Sequence, residues 1–89
     1  MNDISIQIPF DSTKERIATA TKELVSEIYR GYLGRPLTKD DASRFQQRSN
    51  ADNKSINDQY FDGRKIGSLR TTYTLDIPRC ISIRFNQTQ

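Results

Sequence analysis

Histidine and tryptophan are absent from this chain, cysteine occurs once, and no apolar run is long. Without His, the usual general base near neutral pH is missing: no Ser-His or Cys-His pair can form, and no imidazole can hold a metal. A lone Cys80 supports neither an intramolecular disulfide framework nor a zinc cluster. It opens a β-like segment and is expected to pack in or beside the core. No segment approaches the ~18–20 apolar residues of a membrane span, and Asp3 followed by a short, interrupted apolar run argues against a signal peptide. The expected setting is reduced and cytoplasmic, in which the sequons Asn53-Lys54-Ser55 and Asn86-Gln87-Thr88 are incidental.

Apolar residues are also scarce. The hydrophobic fraction is 34%, against ~45–50% in typical globular chains. Leu, Ile, Val and Phe number twenty of 89 residues, just above the level of disordered sequences, while the net charge of +3 is too small to force expansion. A chain of this length makes a single domain, 1–89, with a thin core that homodimerisation or a bound partner can supplement. Charge is unevenly spread: residues 1–45 hold seven Lys/Arg and seven Asp/Glu, so residues 46–89 carry the whole excess. A modest basic half suits nucleic acid or an acidic protein surface, and it also serves plain solubility.

What is present is alternation at both ends. Ile4, Ile6 and Ile8 alternate with Ser5 and Gln7; Ile81, Ile83 and Phe85 alternate with Ser82 and Arg84. In a strand such spacing sends every apolar side chain to one face, so both chain ends belong to a sheet. Between them, Ser12-Thr13-Lys14-Glu15 reads as a capping box, followed by Ile17, Ala20, Leu24, Val25, Ile28 and Tyr32 at helical spacing. Gly34 supplies a left-handed stop, and Pro36 blocks continuation. Thr38-Lys39-Asp40-Asp41 opens a short second helix, expected to run to about Arg48, with Ala42 and Phe45 inward. The polar stretch 49–58 has no periodicity and reads as a long mobile loop. Asp62-Gly63 between Gln59-Tyr60-Phe61 and Arg64-Lys65-Ile66 signals a tight hairpin, and Gly67 a bulge. Leu69, Thr71, Tyr73, Leu75 and Ile77 form the longest period-2 run before Pro78 turns the chain into its final strand.

Tyr29-Arg30, then Leu33-Gly34-Arg35-Pro36, resembles the helix end of phycobilisome-linker-like and related bacterial repeat domains. The likeness covers a short segment only. The flanking strands do not belong to that all-helical pattern, and it implies no function or site residue here.

Chemistry is mostly excluded. Gly63-Arg64-Lys65-Ile66-Gly67 lacks the Lys-Ser/Thr of a phosphate loop. With Asp52 as first ligand, the third and fifth positions of an EF-hand loop would be Lys54 and Ile56, which rejects calcium. Asp52-Asn53-Lys54 has the acid-x-lysine spacing of metal-dependent nucleases but lies in a loop. Asp40 and Asp41 are explained by the helix start they occupy. An enzyme is therefore not expected, and neither a cofactor nor a metal.

The expectation is an α+β domain of two layers, ordered β-α-α-β-β-β, with both helices on one face of a small, mostly antiparallel sheet. Its core draws on Ile4, Ile6, Ile8, Ile17, Leu24, Ile28, Phe45, Leu69, Tyr73, Leu75, Ile81, Ile83 and Phe85. The expected function is non-catalytic binding of a protein partner, as by an inhibitor or accessory factor of a bacterial or phage system. Tyr60, Phe61, Arg64, Lys65, Arg70, Arg79 and Arg84 are the expected contact residues. Aromatics beside bases make good anchors. The alternative is nucleic-acid binding through the basic residues of the same β region.

Overall fold

The computed structural model describes residues 3–49 and 56–88. The element order is β1 (Ile4–Pro9), α1 (Lys14–Leu33), α2 (Lys39–Arg44), β2 (Phe45–Ser49), β3 (Ile56–Phe61), β4 (Arg64–Thr74) and β5 (Cys80–Gln87). The five strands form one antiparallel sheet in the order β1-β5-β4-β3-β2. The α+β class, the antiparallel sheet and the two helices agree with the sequence pattern; the structure adds one strand, β2.

The two alternating ends pair directly. Ile4 faces Phe85, Ile6 faces Ile83 and Ile8 faces Ile81. Next to them on β4 lie Leu69 opposite Phe85, Thr71 opposite Ile83 and Tyr73 opposite Ile81. This inner face packs on α1, whose Ala20, Leu24, Ile28 and Tyr29 are buried. Tyr29 meets Phe45 at the far edge, with ring centroids 3.7 Å apart, and burial pushes its phenol up. Its neighbour Tyr32 stays exposed against Phe61 at 5.7 Å.

Local signals are met with four corrections. Helix α1 begins one residue later than the Ser12 capping box implies. Thr13 is the N-cap and accepts from the Arg16 amide at 3.2 Å, while the Ser12 hydroxyl donates to the Pro9 carbonyl at 2.6 Å. The helix ends as expected on Gly34, at φ 70°. Helix α2 stops at Arg44 rather than Arg48, because Phe45–Ser49 pairs with β3 as an edge strand. In α2 the inward residue is Asp41 and not Ala42, which is exposed. The polar stretch expected as a loop over 49–58 is narrower too. Ser49 pairs with Asn57 and Arg48 with Asp58, whereas residues 50–55, and the mobility expected of them, lie outside the described residues.

The Asp62-Gly63 turn has positive φ at both residues, 52° and 79°, which carries the chain tightly from β3 into β4. The register between β3 and β4 slips at Gln59/Tyr60, with Gln59 opposite Gly67 and Tyr60 opposite Lys65, so the bulge expected near Gly67 is present. It turns Ile66 into the core, a burial that sequence spacing does not reveal. Gly67 is required by packing: an added Cβ would lie 2.2 Å from the Phe85 ring and 2.5 Å from the Asn86 carbonyl.

The largest departure concerns the expected core. Ile4, Ile6, Ile17 and Phe45 are half-buried against it, and Ile8, Leu24, Ile28, Leu69, Ile81, Ile83 and Phe85 are fully inside. Tyr73 and Leu75 are not core. They are 60% and 69% exposed, and Ile77 beyond them is 98% exposed. Tyr73 has the inward-facing register, but helix α1 does not cover that end of β4.

Candidate functional sites

Helix α1 packs on one side of the sheet, and among the described residues no helix covers the other side. The register assigns to this outer face Gln46 and Arg48 of β2, Ile56, Asp58 and Tyr60 of β3, Lys65, Ser68, Arg70, Thr72 and Thr74 of β4, Cys80, Ser82, Arg84 and Asn86 of β5, and Ser5 and Gln7 of β1. Among the strand residues of this face stand four cations and a single carboxylate, Asp58. That carboxylate accepts from Ser68 Oγ at 3.1 Å and lies 3.4 Å from Lys65 Nζ. The Arg48 guanidinium sits 4.7 Å from the centre of the Tyr60 ring. Arg70 and Arg84 are directly opposite each other on neighbouring strands, both exposed. Among the described residues neither makes an ion pair.

Of the seven contact residues expected from sequence, four come together here: Tyr60, Lys65, Arg70 and Arg84. Phe61 points to the inner face, half-buried, with the Arg44 guanidinium 4.9 Å from its centroid. Arg64 is exposed at the hairpin, across from Phe61. Arg79 lies past the other end of β4, about 30 Å along the strand at ~3.3 Å per residue. Arg48 belongs to this surface and was missed, because a short polar edge strand leaves no alternation to read.

A second surface lies where β4 outruns the helix layer. Tyr73, Leu75 and Ile77 project at the β4–β5 end, and Phe10, also exposed, meets Tyr73 edge-on at 5.9 Å. Arg79 and Asp76 flank this apolar end. The signal for it is in the sequence, but the same alternation reads equally well as core.

Asp41 and Asp62 are structural carboxylates, whereas Asp52 and Lys54 of the acid-x-lysine spacing lie outside the described residues. Asp41, 1% exposed, accepts from Arg35 Nη2 at 3.0 Å, the Thr38 amide at 3.1 Å and the Thr38 hydroxyl at 2.9 Å. The Arg35 side chain, followed by the Thr38 amide, holds its carboxyl well below the usual range. It is fully engaged in locking α2 to the end of α1. Asp62 is held down in the same direction by Arg44, which also links the start of β2 to the β3–β4 turn. Among the described residues no three His, Cys, Asp or Glu side chains gather as metal ligands, and no helix is long and apolar enough to cross a membrane. Cys80 is buried, with its Sγ 3.8 Å from Ser82 Oγ. A small pocket lined by Ile4, Ile28, Gly31, Tyr32, Ile66, Phe85 and Gln87 presents no carboxylate, thiol or amine. No family model matches the chain, and no curated protein or solved structure matches it.

Proposed function

We propose that the protein is a non-catalytic binding module that docks on a protein partner through the apolar end of β4–β5. One observation carries this reading: a chain poor in apolar residues leaves Tyr73, Leu75 and Ile77 in solvent, with Phe10 packed beside them. Burying Leu or Ile contributes about 1.5–3 kcal/mol per side chain, so residues withheld from so thin a core are costly unless something else covers them. The complementary surface is an apolar cleft on the partner, into which the aromatic and branched side chains insert as anchors. That Asp41 is committed to the α2 cap and Asp62 to the β3–β4 turn fits a role without catalysis.

A photo-crosslinking amino acid in place of Leu75 captures the partner in source cells, and the purified pair then gives a Kd by calorimetry. Leu75→Ser combined with Ile77→Ser should raise that Kd at least a hundredfold, about 2.8 kcal/mol, with the melting temperature unchanged. The charge reversals Arg64→Glu and Lys65→Glu should change it far less. A double Ser variant that binds with the wild-type Kd refutes the reading, as does an adduct formed only with a second copy of this chain.

A further inference from the structure

We propose that the open face of the sheet binds single-stranded nucleic acid, with Arg70 and Arg84 holding phosphates and the Arg48–Tyr60 stack holding a base. The inference is independent of the apolar end of β4–β5 and rests on a different surface. Cross-strand residues directly opposite each other have Cβ atoms only about 4.5–5.5 Å apart, and like charges there repel. Arg70 and Arg84 occupy such a pair with no carboxylate between them among the described residues. A phosphate bridging the two guanidiniums turns that repulsion into paired, charge-assisted hydrogen bonds. Four residues along β3 from the position facing Arg70, roughly 13 Å at strand rise, Tyr60 lies under the Arg48 guanidinium. A base can stack on the planar guanidinium or the ring, because every base has a π-face. Ser68, one row from the Arg70–Arg84 pair on the side of the stack and half-exposed, adds a hydroxyl beside the path, next to Asp58. The four cations of this face, less Asp58, equal the net charge of +3 carried by the whole chain. Among the described residues no helix or ribbon stands out from this sheet face to enter a duplex groove, so the observations favour a single strand. An acidic protein would use the arginines but would have no need of the Arg48–Tyr60 stack.

The test is fluorescence anisotropy of labelled oligouridylate and oligothymidylate with the full chain, from low to physiological salt. Arg70→Gln with Arg84→Gln should weaken binding at least tenfold. It should also flatten the slope of log affinity against log salt by about 1.4, since each phosphate contact on a single strand contributes about 0.7. Tyr60→Ala should weaken binding at least about fivefold and leave the slope alone, while Tyr60→Phe retains affinity. Leu75→Ser should bind the oligonucleotide normally, which separates this site from the apolar one. Melting of the double Gln variant should be no lower than wild type, because a repulsion is removed. If that variant does not fold, Arg84→Gln alone should show half the slope change. Unchanged oligonucleotide binding in these variants overturns the proposal. So does duplex or polyglutamate binding as tight as the single strand and indifferent to Tyr60→Ala.

Discussion

Replacing Gly67 by Ala is the sharpest test of how this sheet is held together. The added methyl would stand 2.2 Å and 2.7 Å from two atoms of the Phe85 ring and 2.5 Å from the Asn86 carbonyl oxygen, where ordinary contacts are well over 3 Å. Phe85 is buried in the core, so its ring can give way only by shifting toward the small pocket it lines with Ile4, Ile28 and Ile66. The carbonyl is backbone of β5, so relief also requires β4 and β5 to separate locally. Overpacking by a methylene costs about 1–3 kcal/mol when side chains can adjust. Backbone involvement places this case at the upper end, about 3 kcal/mol, and the ~0.5–1 kcal/mol that Ala usually gains over Gly does not offset it. In a domain of this size each kcal/mol lowers the melting temperature by about 4–8 °C, so a fall of roughly 12–24 °C is expected by far-UV circular dichroism. Adding Phe85→Leu should recover part of that loss, since it removes the ring but not the carbonyl contact, and the two changes should be clearly non-additive. A Gly67→Ala protein that melts at or above the wild-type temperature would refute both the β4–β5 register and the Phe85 packing derived from it.

Further expectations follow from other parts of the fold. Thr13→Ala should cost about 1 kcal/mol by removing the N-cap of α1, while Ser12→Ala should cost clearly less, which denaturant melts of the pair can distinguish. Gln59 is 1% exposed, and neither side-chain amide atom has a hydrogen-bond partner among the described residues. Gln59→Met keeps the shape and removes the unpaired amide, so it should stabilise by about 1 kcal/mol, and a lowered melting temperature would show the amide to be paired. Asp41 has a folded pKa below its unfolded value. Its stabilising contribution is therefore complete above the unfolded value of about 3.9 and is lost as the pH falls below it. Accordingly, Asp41→Asn should lower the melting temperature at pH 7 and narrow its gap to wild type in strong acid, and a gap that stays constant with pH would contradict the ion-pair account.

Strand signals in this chain are legible where one face is buried and blank where neither is. Ile4-Ile6-Ile8 and Ile81-Ile83-Phe85 declare themselves as strands because α1 covers their face; that they pair with each other is added by the structure. Gln46-Gln47-Arg48-Ser49 declares nothing. It is an edge strand with Phe45 its only half-buried residue, held by backbone pairing to β3 that leaves no mark on side-chain choice. The missing strand hid Arg48, and with Arg48 the fact that Tyr60 is on the open face rather than at an isolated turn. The opposite error occurs at Tyr73 and Leu75. Alternation reports which side of a strand a residue occupies, but not how far along the strand the helix layer reaches. Tyr73 is therefore in the same row as Ile81 and Ile8 and yet exposed. Both misreadings fall on residues of the two proposed binding surfaces, and for one physical reason. A binding surface must keep its side chains out of the fold's own packing, and that packing is what periodicity records.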